Sequence, residues 1–391
     1  MSDTFCTYYN REICHSCETL EQDYSQQIET KEQTIRDALP FFPDLKLEPS
    51  CRSAQQGFRN RAKMYVTGLV DAPVIGLWGE TNLDDGRELI NCPIHHPKLN
   101  PLLQAMPALI QQFQLIPYRI QARQGELKGL IAFYSPLTDQ MYLRFVLRSQ
   151  ECVSRIIKSL PTLQNQFPQL VCVSVNIQPI PHAILEGPRE ILLTPKTYID
   201  HQVGPVRFRL APQAFVQTHF EMAALLYQTA TRWIQEAKPS KVLDLFSGQG
   251  AFSFFAAQSA PEILGIEINP EAVATAQQSA LEQGYTHLKF KALDAGKIAD
   301  ELHSYQPDLI IANPPRRGLG SSLTLIQKQK PQHLIYSSCS IETLAMDLKA
   351  LSEDYSLKRI QLFDMFPHTG HFETLVWLKL VPHSVRSLGS L

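Results

Sequence analysis

Two rhythms of apolar and polar positions divide the chain. From about residue 57 to 195, short apolar runs alternate with Gly, Pro and Asp: Ala62–Leu69, Val74–Trp78, Gly129–Tyr134, Gln140–Leu147 and Leu170–Ile177. These runs predict a small, largely antiparallel β domain with one or two helices, such as Leu99–Phe113. From about 220 the pattern becomes strand, helix, strand. Lys241–Phe246, Ile263–Ile268, Leu288–Ala292, Asp308–Ala312 and His333–Tyr336 read as buried strands, and Gly250–Ser259, Pro270–Gln283 and Ile341–Leu351 as helices. Pro270 in a first turn and Gly284 past the end mark the second of these helices. Alternating strands and helices predict a parallel, doubly wound α/β sheet. The last strands, Leu357–Phe363 and Phe372–Leu380, are joined only by Asp364 to His371. That is too short for a crossover, so the pair is expected to be antiparallel. Residues 21–39 read as a polar helix that stops before Pro40. The expected organisation is a cysteine-bearing segment (1–56), a small β-rich domain (57–195) and an α/β catalytic domain (196–391).

Composition narrows the class. With 391 residues and 44% hydrophobic content, the chain can build two or three cored domains. A formal charge of −2 gives no global basic field, so a polyanion partner would need a local patch. The N-terminus has no apolar leader and no stretch is long enough to span a bilayer, so a cytoplasmic protein without a membrane partner is expected; a monomer is the default, though no sequence feature sets the oligomeric state. Eight cysteines are too few for a disulfide scaffold at this length.

The chemistry concentrates at predicted strand ends. Asn313-Pro-Pro-Arg316-Arg317-Gly318 and Tyr336-Ser-Ser-Cys339 each follow an apolar run. In an open α/β sheet ligands bind at the carboxyl ends of strands, so an amide and a thiol would share one cleft. That pairing suits sulfur attack on a flat, electron-poor ring. A lone thiol is usually a packing residue, but the serines around Cys339 argue against an apolar setting. Asp244-Leu-Phe246-Ser-Gly248-Gln-Gly250 follows the first strand and opens a helix, and Glu267 ends the next strand. Glycines permit close backbone approach to a ligand, and the carboxylate can accept both hydroxyls of a ribose. The full dinucleotide fingerprint is absent because Ser253 stands at its last glycine.

Near the N-terminus Cys6, Cys14 and Cys17 cluster, and Cys92 follows in Asn91-Cys-Pro-Ile94. Four thiolates suit a zinc ion or a [4Fe–4S] cluster, and spacing does not separate the two. His15, His95 and His96 keep zinc open, and Cys51 rivals Cys92 as fourth ligand. Cys152 and Cys172 read as packing residues.

Taken together, the glycine loop, Glu267, Asn313-Pro-Pro-Arg316, Ser338-Cys339, Phe215-Val-Gln217-Thr-His219 and His371-Phe-Glu373 resemble, in order and over essentially the whole chain, the RNA uracil-C5 methyltransferases. The resemblance implies a class I S-adenosylmethionine methyltransferase fold with a seven-stranded sheet. It implies that Gln217, Phe246, Glu267 and Asn313 contact S-adenosylmethionine within the Asp244–Gly248 loop site. It further implies that Cys339 adds to uracil C6 and that Glu373 removes the C5 proton. RNA cytosine-C5 methyltransferases place a carboxylate and a second cysteine where this chain has Asn313-Pro-Pro-Arg316, and amino methyltransferases place an aromatic where Arg316 stands. The subgroup with this cysteine pattern carries a [4Fe–4S] cluster, here on Cys6, Cys14, Cys17 and Cys92. A cluster without a preceding β-barrel module resembles the branch that methylates uracil 747 of 23S rRNA, whereas the tRNA-modifying branch lacks the cysteines. Three positions depart from the family pattern: His219 for Asn, Ser247 for Cys and Ser340 for Asn.

For RNA contact, residues 52–63 carry Arg52, Arg59, Arg61 and Lys63 with Phe58 and no acid. Arg119, Arg123, Lys128, Arg144, Arg148, Arg207 and Arg209 add positive charge. These side chains are expected to track phosphates while an aromatic stacks on an exposed base.

Overall fold

The computed structural model describes residues 4–79, 82, 84–181, 184–296, 298 and 305–382. The outermost residues of the expected first and last domains, 1–3 and 383–391, therefore lie outside the described residues. Along the chain come α1 (Thr7–Asn10), α2 (Tyr24–Ala38), β1 (Leu47–Cys51), β2 (Arg61–Leu69), β3 (Ala72–Trp78), β4 (Gly86–Glu88), α3 (Leu99–Gln112), β5 (Leu127–Ser135), β6 (Gln140–Leu147), α4 (Val153–Gln166), β7 (Leu170–Ile177), β8 (Arg189–Leu192), β9 (Ile199–Val203) and β10 (Val206–Leu210). They are followed by α5 (Phe220–Ala237), β11 (Lys241–Leu245), α6 (Ala251–Ala256), β12 (Glu262–Glu267), α7 (Pro270–Glu282), β13 (Leu288–Ala292), β14 (Leu309–Ala312), α8 (Ser322–Gln329), β15 (His333–Ser338), α9 (Ile341–Leu351), β16 (Tyr355–Phe363) and β17 (Glu373–Leu380). Among the described residues no helix is long and apolar enough to cross a membrane.

The chain forms two compact units. One comprises residues 1–21, 54–203 and 209–220, the other 22–53, 204–208 and 221–391. These limits differ from the expected 1–56, 57–195 and 196–391 mainly in where they place residues 22–53, which join the catalytic part of the chain.

The first unit is built on a sheet ordered β4-β3-β2-β5-β6-β7-β8. Its ladders are antiparallel except for β6–β7, which is parallel and bridged by the crossover helix α4. Leu102, Leu103 and Met106 of α3 and Ile156 and Leu163 of α4 pack into one core with Leu130, Leu143 and Val173. Arg144, expected to face RNA, is instead 1% exposed inside this unit. Its Nε and Nη2 donate to both carboxylate oxygens of Glu190 at 2.9 and 2.7 Å, and its Nη1 donates to Glu186 at 2.6 Å. Arg61 and Lys63 also reach Glu186, at 3.3 and 3.2 Å. Lys128 donates to the carbonyls of Gln178 and Ile180 at 3.0 and 2.5 Å. A guanidinium can stay buried on these terms because every side is matched by a carboxylate.

The second unit holds an eight-stranded sheet ordered β1-β16-β17-β15-β14-β11-β12-β13. Seven strands follow the expected doubly wound plan. The eighth is a correction: β1 pairs in parallel with β16 through Leu47↔Ile360 and Cys51↔Phe363. β11 pairs in parallel with both β12 and β14, and the winding reverses between β11 and β14. The crevice for a ligand therefore opens beyond Leu245 and Ala312. β17 runs antiparallel between β15 and β16, as its short loop requires. The core is apolar on Leu243, Ile310, Leu334, Val376 and Leu378, joined by Ile35 of α2 and by Leu39 at its C-cap. α7 starts on Asn269, whose side chain accepts from the Glu271 and Ala272 amides, with Pro270 in its first turn.

Arg144→Met leaves Glu190 and Glu186 without their main partner, so unfolding in urea should show a loss of about 3–5 kcal/mol. The salt dependence of RNA affinity should stay unchanged. A shallower salt slope with unchanged stability would return Arg144 to the RNA surface.

Candidate active site

The loop after β11 turns on unusual backbone. Phe246 takes φ +60°, Gly248 +55° and Gly250 +84°. At Gly250 a Cβ would meet the Phe290 ring at 2.6 Å, so only glycine fits. A Cβ on Gly248 would instead point into open space. The Gly248 amide donates to Glu267 Oε2 at 3.0 Å, and Glu267 Oε1 accepts from the Asn269 amide at 2.9 Å. Glu267 is thereby fixed at the edge of the loop with lone pairs to spare. Asp244 is fully buried beneath it. Asp244 Oδ2 accepts from Ser253 Oγ at 2.5 Å, while its Oδ1 and the Ser247 hydroxyl have no partner. Burial pushes the Asp244 carboxyl up to about 7, against the opposing Ser253 hydrogen bonds. Open space at Gly248, an anchored carboxylate and orphaned polar atoms fit a nucleoside-bearing cofactor on this crevice.

Cys339 lies one residue past β15 and directly before Ser340, the N-cap of α9. It is half-buried and lines a cleft of about 120 Å³ with Arg316, Ser340, Ile341, Glu342, Gly370, His371 and Phe372. Burial and the Glu373 charge raise its thiol above the ordinary value, while a hydrogen bond and charge from Arg316 pull it down. The amino end of α9 adds a positive dipole beside the sulfur. Glu373, the first residue of β17, is 2% exposed. Its Oε1 accepts from Ser337 Oγ at 2.5 Å, and burial pushes its carboxyl up to about 7 against that bond. A carboxyl tuned to neutrality beside a shielded thiol can move a proton.

Asn313 follows β14 and is partly buried. Its loop is tied to α9: Thr343 Oγ1 donates to the Arg316 carbonyl at 3.1 Å, and buried Asp347 accepts from the Leu319 amide at 2.9 Å and Tyr336 Oη at 2.7 Å. A Cβ on Gly318 would stand 2.7 Å from Asp347 Oδ2. Sequence reasoning missed Asp347 and Ser337. Asp347 was signalled by its place within the apolar stripe Ile341, Leu344, Leu348 and Leu351 of α9. Ser337 carried no signal of its own.

Phe246, Gly248, Glu267 and Asn313 thus lie at carboxyl ends of neighbouring strands of the second unit, with Cys339 and Glu373 on the strands beyond. Gln217 belongs to the first unit, where it is buried, and His219 beside it stacks on Phe58 at 5.1 Å.

Cys6, Cys14, Cys17 and Cys92 all belong to the first unit. Cys17 is pushed up to about 12 by burial and then by Cys92, Cys14 and Cys6. Burial, Cys6 and Cys14 push Cys92 up to about 11. The thiols are electrostatic neighbours, yet among the described residues no three His, Cys, Asp or Glu side chains converge closely enough to hold one metal ion. Cys51 ends β1 in the other unit, and its Sγ accepts from Gln361 at 3.4 Å.

Residues 195–381 match the model of the tRNA (Uracil-5-)-methyltransferase family. The 23S rRNA (uracil(747)-C(5))-methyltransferase of Proteus mirabilis is 42% identical over 369 residues, which is 94% of this chain and 97% of the relative. The Vibrio cholerae enzyme of the same name is 40% identical over 374 residues, 95% and 99% of the two chains. Among solved structures, the Pyrococcus abyssi tRNA (uracil-54, C5)-methyltransferase in complex with S-adenosyl-L-homocysteine superposes with a TM-score of 0.78 at 22% identity, covering 93% of this chain and 85% of that one. That likeness reinforces the class I methyltransferase fold. With some 40% identity to curated relatives along nearly the whole of both chains, this chain belongs to the uracil-5-methyltransferase family.

Proposed function

We propose that this protein transfers a methyl group from S-adenosylmethionine to C5 of a uridine in 23S rRNA, the position its relatives' names number 747. The observation that carries this reading is the half-buried Cys339 in a cleft beside a buried, near-neutral Glu373. Uracil C5 is too weak a nucleophile to take a methyl group unaided. The Cys339 thiolate adds to C6, and the C5–C6 π electrons move to make C5 an enolate carbon. When bound, S-adenosylmethionine would supply an electrophilic methyl group for C5, its sulfonium sulfur leaving as the neutral thioether of S-adenosylhomocysteine. Glu373 then accepts the C5 proton, the C5–C6 double bond re-forms, and Cys339 leaves as thiolate. Arg316 steadies the thiolate at both ends of this cycle. Asn313, an amide, suits neutral uracil better than a carboxylate would.

For the cofactor, Glu267 has the lone pairs to accept ribose hydroxyls. Gly248 leaves room for close approach, Asp244 braces the loop from below, and Phe246 and Asn313 complete the contacts. The target base must leave its stack to reach a cleft of about 120 Å³.

Cys6, Cys14, Cys17 and Cys92 would hold a [4Fe–4S] cluster with a structural role. The chemistry of the donor set fits: the four thiols are electrostatic neighbours, and burial raises those of Cys17 and Cys92, which need a strong Lewis acid to draw off their protons.

RNA carrying 5-fluorouridine at the target has no C5 proton to lose, so it should leave a covalent complex stable on a denaturing gel. Cys339→Ala should abolish it, and survival of the complex in that variant would mean that another residue is the nucleophile. With ordinary RNA, release of the methylated product should rise about tenfold per pH unit up to about pH 7 and then level, because only the carboxylate form of Glu373 accepts a proton. Glu373→Gln should slow release by about 10²–10⁴-fold. Unchanged turnover in that variant would rule Glu373 out as the base. Metal analysis of anaerobically purified protein should find about four irons per chain, and zinc without iron would overturn the cluster.

A further inference from the structure

The connection between β16 and β17, Asp364 to Phe372, is unusual for a loop. Asp364 and Met365 are 0% exposed and His368 is 1% exposed. Loops ordinarily run over the surface because buried polar groups need partners. Here the partners come from α2. The buried face of that helix reads Gln27, Ile28, Lys31 and Ile35. Placing an amide and an ammonium in that stripe is costly unless both are matched. Both are matched by the loop. Lys31 Nζ donates to Asp364 Oδ1 at 2.6 Å and to the Phe366 carbonyl at 3.1 Å. Tyr24 Oη donates to Asp364 Oδ2 and accepts from the Ser53 amide, both at 2.7 Å. Gln27 Oε1 accepts from the His368 amide at 3.0 Å. His368 sits at φ +64°, a conformation a β-carbon disfavours, so something must hold it there. Further along, Thr369 Oγ1 donates to the Phe366 carbonyl at 2.9 Å, and the His371 amide donates to Thr369 Oγ1 at 3.2 Å. The chain of bonds therefore runs from α2 to Gly370, His371 and Phe372, which line the Cys339 cleft, and ends one residue before Glu373.

We propose that Tyr24, Gln27 and Lys31 are positioning residues for the methyl-transfer reaction: they hold the Asp364–Phe372 loop so that Glu373 stays dry and aimed at the cleft of Cys339. The inference rests on Glu373 acting as the base. The network meets the reaction on the Glu373 side of the cleft, so loosening it slows proton removal more than thiolate addition. The enzyme then stalls as the covalent adduct on ordinary, unfluorinated RNA.

The test is rapid-quench kinetics on the full-length protein with an ordinary uridine substrate, reading adduct formation and product release separately. Tyr24→Phe removes one hydroxyl and keeps the ring. It should slow release about three- to tenfold, with adduct formation and KM for RNA within about twofold of wild type. Lys31→Met should slow release by up to about 10²-fold, the scale of a misplacement of about 1 Å. Should Lys31→Met not fold, Tyr24→Phe decides alone. Wild-type release in the folded variants, or addition and release slowed in equal proportion, would make the network merely structural and overturn the proposal. Glu373→Gln is run alongside. Failure of that variant to accumulate adduct removes the base assignment, and this inference falls with it. Accumulation there but not in Tyr24→Phe or Lys31→Met overturns the positioning role alone.

Discussion

One reversal of strand direction underlies the chemistry of this site. In a parallel sheet, only residues at the carboxyl ends of strands share the functional edge. β17 runs the other way, pairing Ser338 with Thr374. Its first residue, Glu373, is thereby delivered to the edge where β15 ends at Ser338 and Cys339 follows. The position also explains its protonation. As part of a strand pair in the sheet interior, the Glu373 carboxyl is desolvated and receives the Ser337 hydroxyl, which leaves it near pH 7. The same burial works against the thiolate. Arg316 and the amino end of α9 offset that cost, so nucleophile and base are tuned in one small volume by different neighbours.

The second dependency is the N-terminal segment. Residues 22–53 contribute α2, whose Ile35 enters the catalytic core with Leu39 at its C-cap, and β1, which extends the catalytic sheet. They also supply Tyr24, Gln27 and Lys31 to a buried loop that would otherwise strand polar backbone. A chain begun at residue 54 would lack an edge strand, part of the core and the anchors of the loop that precedes Glu373.

Much of this was legible in the sequence because it is local. Apolar runs of four to nine residues marked the buried strands of the catalytic sheet, Pro270 and Gly284 bracketed α7, and the short loop after Phe363 forced an antiparallel last pair. Motif order sufficed to select the family. What escaped was long-range or weakly patterned. β1 is five residues long, contains Pro49, and is half-exposed at a sheet edge, so it carries no periodic signal. Arg144 reads as a surface cation until Glu186 and Glu190, 42 and 46 residues later, fold around it. Lys31 and Asp364 are 333 residues apart, and nothing in either neighbourhood announces the other. Glu267 and Asn313 stood out by their places at strand ends and Phe246 by the family resemblance, whereas Ser337 and Asp347 show themselves only through their bonds.

The central claim is that sulfur attack precedes methyl transfer and that Glu373 acts after both. Mass spectrometry of the complex trapped by Glu373→Gln on ordinary RNA, after protease and nuclease digestion, tests it most directly. The account predicts one peptide containing Cys339 that carries a uridine nucleotide already methylated. An adduct lacking the methyl group, or one borne by a different cysteine, would contradict it.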